Sequence, residues 1–222
     1  MQGSHTLKAI AANRKYLIAS LIFFGAFFCV LLLRDQLLVV DLAVNSWIPT
    51  IHSEGATMIA IAVSYAFDTP CLLVASVAIG GYLFYKNYRS QSLLLLFAMG
   101  GNAAIVGFFK TLVASARPLT GLVESTGYSF PSGHTAGSIV FCGLLVYFAC
   151  HHWKTTPSRI SLGITALAGL IILAVGFDRL YLNIHWFSDV LGGCLLGFFW
   201  LTFVILISKL LIPTFSIKQQ VS

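Results

Sequence analysis

Val190-Leu-Gly-Gly-Cys-Leu-Leu-Gly-Phe-Phe-Trp-Leu-Thr-Phe-Val-Ile-Leu-Ile-Ser-Lys-Leu-Leu-Ile212 carries one charged side chain, Lys209, among apolar and small residues. Crossing the hydrocarbon core of a bilayer takes about 20 such residues at ~1.5 Å rise each. The run is long enough, and it decides the fold class as a membrane-spanning helix. Working towards the amino terminus, five further apolar runs read the same way: Ile160 to Phe177, Thr135 to Cys150, Leu93 to Phe109, Pro70 to Tyr85 and Tyr16 to Leu33. Several are short on apolar residues alone and must borrow flanking polar residues or tilt. Between the first two lies a different segment, Asp41 to Phe67. Its apolar run Met58 to Phe67 is too short to span alone, and it reads as an amphipathic helix at the interface, with a seventh, kinked membrane segment as the competing reading. The expected fold is all-α: a polytopic membrane protein with six transmembrane helices and an interfacial helical segment between the first two.

Composition agrees. Of 222 residues, 58% are hydrophobic and only 9% charged, and the mean hydropathy is +0.91. Soluble domains carry about 25% charged residues, so lipid must be the main solvent, and residues 1–222 read as a single membrane-embedded domain. The net charge of +6 comes from scattered single residues that form no stripe, so no nucleic-acid partner is indicated. The five cysteines are odd in number and mostly in apolar runs, without a C-x-x-C pair, and read as small buried hydrophobes. The first apolar run reads as an anchor rather than a cleaved signal peptide.

The basic residues orient the bundle. With the amino terminus inside, the inner side receives Lys8, Arg14, Lys15, Lys86, Arg89, Lys154, Arg159, Lys209 and Lys218, and the outer side keeps Arg34, Lys110, Arg117 and Arg179. Nine against four follows the positive-inside rule. Both termini are then cytoplasmic, and in a cell's inner (cytoplasmic) membrane any outer site lies on the periplasmic or extracellular side.

Three outer stretches concentrate the reactive side chains. The first, Lys110 to Pro118, places Lys110 and Arg117 seven residues apart, on one face if helical, and Pro118 suggests that regular helix stops about there. Two cations facing one way at a membrane boundary are costly unless an anion sits between them. The second, Ser129-Phe-Pro-Ser-Gly-His134, leads into the fourth span. There Ser132 is a cap candidate, and the free N–H groups of a helix start form a phosphate cradle beside Gly133 and His134. The third, Asp178 to Asp189, sets His185 and Asp189 four apart, so that a carboxylate can fix the imidazole tautomer, and Arg179 adds a planar fork suited to phosphate oxygens. Each stretch alone has an ordinary structural explanation. None of these explains why all three fall on one side of the membrane.

Together, Lys110-x6-Arg117-Pro118, Pro131-Ser132-Gly133-His134 and Arg179-x5-His185-x3-Asp189 resemble the three-part signature of the type 2 phosphatidic acid phosphatase (PAP2) superfamily, over residues 110–189. The resemblance implies a bacterial membrane lipid phosphatase with His185 as nucleophile, Asp189 as its helper and His134 as proton donor. It further implies phosphate binding by Lys110, Arg117, Ser132, Gly133 and Arg179. No acidic cluster suited to magnesium occurs, so no metal or other cofactor is expected. Phosphatidic acid, phosphatidylglycerol phosphate, undecaprenyl diphosphate and the phosphates of lipid A all fit such a site. The rival readings are a lipid-to-lipid phosphotransferase, a vanadate-dependent haloperoxidase (which six spans argue against) and a non-catalytic lipid carrier. One position departs from the signature: Asp178 stands where the family often has serine, and it is expected to orient Arg179 rather than touch phosphate. Outside the three stretches, Trp47, Trp153 and Trp186 read as belt anchors, Asn102 as a bond to a neighbouring helix, and His151 and His152 as a solvated inner loop. Tyr181 and Asn183 suit either headgroup contact or loop packing. Glu124 lies beside the expected entrance with no assigned role. Oligomeric state is not encoded in any of these features.

Overall fold

The computed structural model describes residues 13–152 and 158–211. Lys8, Trp153, Lys154, Lys218 and the last expected span residue, Ile212, lie outside the described residues, as do the side chains of His151 and His152. Among the described residues there are eight α-helices and no strand: α1 (Arg14–Leu32), α2 (Arg34–Trp47), α3 (Glu54–Ala66), α4 (Thr69–Tyr85), α5 (Arg89–Val113), α6 (Gly133–His152), α7 (Ser158–Tyr181) and α8 (Phe187–Leu211), with a 3₁₀ turn at Ile48–Ile51.

Five helices (α1, α5, α6, α7 and α8) are long and apolar enough to cross a membrane, and α3 with α4 makes a sixth as a pair bent by 52°. The helices run past the expected apolar limits, α5 starting at Arg89 and α7 ending at Tyr181, because in hydrocarbon the backbone must keep its hydrogen bonds out to the headgroups. The segment expected at the interface becomes the end of α2, the 3₁₀ turn and α3. Its break from α4 has a local cause. Asp68 Oδ1 accepts from the Thr69 amide at 2.8 Å, capping α4, and Pro70 sits in the first turn, where a missing N–H costs nothing.

Packing centres on α8, which touches α1, α2, α5, α6 and α7. Half of its apolar window is buried, against 11% for α7, which gives most of its surface to the surroundings. The crossing of α6 and α8 is close. A Cβ added at Gly193 would lie 2.6 Å from the Ser132 carbonyl oxygen, and one at Gly197 would lie 3.0 Å from Ala136 Cα. The pair is a small-xxx-small interface of the kind that lets helix backbones approach within a membrane. Trp200 lies flat against Gly101 and donates from its indole to Ala98 O at 2.8 Å. Asn102, expected to bond a neighbouring helix, is buried with its Oδ1 lacking a partner among the described residues, and its Nδ2 faces Gly137 of α6.

Candidate active site

The turn between α7 and α8 is built tightly enough to bury a histidine. Asn183 takes a left-handed φ of 55°, donates from Nδ2 to Thr120 Oγ1 at 2.7 Å and pairs with Asn45 of α2. Tyr181 packs into the loop rather than facing outwards: its carbonyl accepts from His52 Nε2 at 2.9 Å, and its hydroxyl accepts from the Ser53 amide at 3.0 Å. Ser188 donates twice to Asp41 of α2, from its amide and its hydroxyl, each at 2.7 Å. Burial raises the Asp41 pKa, and the two Ser188 bonds oppose that shift. The turn is thereby held from α2, and His185 is 4% exposed.

His185 Nδ1 lies 3.2 Å from Asp189 Oδ2, one turn further along. The same carboxylate accepts from the Trp186 amide at 2.9 Å and from Ser129 Oγ at 3.4 Å, so its position is fixed on both oxygens. The other ring nitrogen, Nε2, lies 3.2 Å from Arg117 Nη1. A guanidinium has donors only, so this contact uses the Nε2 lone pair, and Nδ1 then carries the proton given to Asp189. Burial first, then the charges of Arg117, Lys110 and Arg179, hold the His185 pKa well below the usual imidazole range. The ring is therefore neutral, with its free lone pair directed at a cation.

The first stretch differs from expectation. Helix α5 stops at Val113, where Ala114 takes a left-handed φ of 50° and its amide closes on Lys110 O at 3.0 Å, so Lys110 and Arg117 share no helical face. Arg117 sits instead in the loop over the site. It donates from Nε to Gly127 O at 3.1 Å, from Nη1 to Ile184 O at 2.8 Å and from Nη2 to Thr126 O at 3.2 Å. Lys110 Nζ is bonded to the carbonyls of Tyr128 and Ser129. Trp186, expected as a belt anchor, donates from Nε1 to Ala116 O at 2.8 Å and ties the same loop to α8.

A cavity of about 260 Å³ opens here, lined by Asp68, Arg117, Glu124, His134, Arg179 and His185 among others. The two histidines thus share one chamber with two guanidiniums. Arg179 is 1% exposed and bonded to Asp178, as expected for that departure from the signature, and its Nε is buried without a partner among the described residues. Such an unspent donor beside a cavity suits an anion. Three expected phosphate ligands do not line the chamber. Lys110 is held by carbonyls, the Ser132 hydroxyl is bonded to Thr135 Oγ1 at 2.9 Å, and Gly133 opens the first turn of α6.

The sequence reading missed Asp68, Arg34, Ser129 and Asp41. Asp68 Oδ1 lies 3.4 Å from His134 Nε2. Arg34 bonds Ser115 Oγ and stacks over the Phe130 ring at 4.6 Å. Only Asp68 left a local trace, as a helix cap before Thr69-Pro70, and nothing in that trace names His134 as its partner. No group of three or more His, Cys, Asp or Glu side chains suited to a metal is found among the described residues.

Comparisons with known proteins converge on one family. The family described as "PAP2 superfamily" matches residues 91–212. Phosphatidylglycerophosphatase B of Bacillus subtilis (strain 168) is 32% identical over 127 residues, which is 57% of this chain and 62% of that protein. Lipid phosphate phosphatase delta of Arabidopsis thaliana is 27% identical over 95 residues, 43% of this chain and 23% of that protein. The matches thus span less than two thirds of the length of these curated relatives. The crystal structure of a transmembrane PAP2 type phosphatidylglycerolphosphate phosphatase from Bacillus subtilis superposes with a TM-score of 0.77 at 26% identity, over 84% of this chain and 94% of that one.

Proposed function

The chain belongs to the PAP2 superfamily, and from that premise we propose that it is a membrane phosphatase hydrolysing a lipid phosphomonoester or diphosphate through a phosphohistidine on His185. Phosphatidylglycerol phosphate is the first candidate substrate, because two of the similar proteins are named for it. Phosphatidic acid and undecaprenyl diphosphate are the alternatives. The observation that carries the reading is the His185 ring itself, with Nδ1 on Asp189 and Nε2 on Arg117 inside a chamber shared with His134 and Arg179.

In the first step the lipid phosphate takes the guanidiniums of Arg117 and Arg179, and the Nε2 lone pair of His185 is freed to attack phosphorus. The P–N bond forms as the P–O bond to the lipid breaks, and His134 gives its proton to the departing oxygen. Asp189 stabilises the cationic ring, holding the Nδ1 proton throughout. In the second step water attacks the phosphohistidine and gives its proton to His134, releasing inorganic phosphate and restoring both rings. Positioned cations carry most of the work of phosphoryl transfer. Arg117 and Arg179 act directly and Lys110 acts through its field at His185, while the Ser132 amide is taken by Asp189 O and fixes the start of α6 beside the turn. The basic-residue skew supports an outward-facing site in the cytoplasmic membrane with both termini inside.

Purified His185→Ala is expected to fold, by size-exclusion profile and melting temperature, and to release no phosphate above background. Acid-labile, base-stable label should be trapped on the wild-type protein after quenching with radiolabelled substrate and be missing from the variant. Turnover of the variant near the wild-type rate would remove His185 from its role.

A further inference from the structure

The chamber contains a second histidine–carboxylate pair. His134 Nε2 lies 3.4 Å from Asp68 Oδ1, and Ser64 of α3 lines the same chamber. Asp68 sits at the bend between α3 and α4, where its Oδ1 is pinned by the Thr69 amide at 2.8 Å. Its side chain is 45% exposed while that of His134 is 18% exposed, and both line the chamber. The other charged groups facing this ring are cationic or imidazole, with Arg179 from the end of α7, His185 from the α7–α8 turn and Arg117 from the outer loop, apart from Glu124 on that same loop. A protonated His134 faces two guanidiniums, and among the ion pairs only Asp68 reaches it.

We propose that Asp68 is the positioning residue for His134, orienting the ring and countering the charge it carries as proton donor to the leaving oxygen. This rests on the donor role given to His134 above. The proton of the His134 imidazolium passes to the oxygen of the lipid as the P–O bond breaks, leaving a neutral ring that then accepts the proton of the attacking water. Asp68 neither gains nor loses a proton over the cycle. Because Asp68 sits at the bend of the α3–α4 pair, that pair positions the donor while the α7–α8 turn holds the nucleophile.

Leaving-group dependence tests this. Phosphatidic acid expels an alkoxide, which needs a proton, whereas p-nitrophenyl phosphate expels a stable phenolate, which hardly does. Asn keeps the helix cap at 68 but removes the charge. Asp68→Asn is therefore expected to lower kcat for phosphatidic acid by about 10²-fold and for p-nitrophenyl phosphate by far less. Asp68→Glu should recover part of the loss, and His134→Asn should show the same bias. If His134→Asn is biased and Asp68→Asn loses both substrates equally, or neither, the role of Asp68 is overturned while the donor stands. If His134→Asn loses both equally, the donor assignment falls, and the role of Asp68 falls with it.

Discussion

Arg117 occupies the ring nitrogen proposed to attack phosphorus, so in that mechanism a single side chain both guards the nucleophile and binds the substrate. Its charge also has a sign that can be read in a pH profile. Burial and neighbouring cations penalise the imidazolium of His185, so the ring stays neutral through its usual titration range and protonates only well beneath it. Activity that needs the neutral ring is then retained as pH falls through the usual imidazole value and is lost further down. Arg117 is the largest of the causes after burial. Arg117→Gln should move the acid limb of kcat/KM to higher pH and lower its plateau by about 10²-fold. The ionisation of the substrate cancels in the comparison of the two profiles. An acid limb that stays in place, or moves down, would contradict this account of the ring. At this scale the three signature stretches were legible, because their chemistry is local: His185 and Asp189 are one turn apart, and the bond lies within one helix start. The contact of Asp68 with His134 was not, since it joins a helix cap to a residue 66 positions away and no spacing rule spans that distance.

Between helices, the α6–α8 crossing sets how the second and third stretches meet. The amide of Ser132 donates to Asp189 O at 3.0 Å, and this is possible only because Gly193 lets the two backbones touch. A methyl at 193 collides with backbone rather than with a side chain that could turn aside, so the start of α6 must move. Gly193→Ala is expected to reduce kcat by about 10²-fold through displacement of His134 relative to His185. Gly100→Ala, which meets nothing within 4 Å, serves as the control. Equal rates for the two variants would show that the crossing does not set the geometry. Helix positions were legible from apolar runs, but ends were less so. Pro118 pointed to the end of α5, yet the chain leaves the helix at Val113, where Ala114 turns left-handed, and no residue-type signal marks that turn. The bend before α4 was marked by Asp68 and Pro70, although whether α3 continued the span or lay flat depended on its contacts with α7.

Across the whole bundle, the chamber gathers the carboxyl end of α7 and the amino ends of α6 and α8 at one end, with Lys86 and Lys209 at the other. The proposed orientation predicts thiol accessibility in intact cells. In a variant with the five native cysteines replaced, Ser125→Cys should react with a membrane-impermeant maleimide added outside, and Lys86→Cys only after permeabilisation. The reverse pattern would place the chamber on the inner side. Membrane class and the gathering of the polar stretches at one end of the bundle were both readable, because hydrocarbon demands long apolar runs and leaves polar chemistry only at their ends. Helix α7 delivers Arg179 into the chamber although only 11% of its apolar window is shielded by protein. In a lone bundle, acyl chains would press on the helix that carries this cation. A thinner or thicker leaflet changes the tilt of so exposed a helix, which makes the lipid matrix itself a participant in how deeply the guanidinium rides.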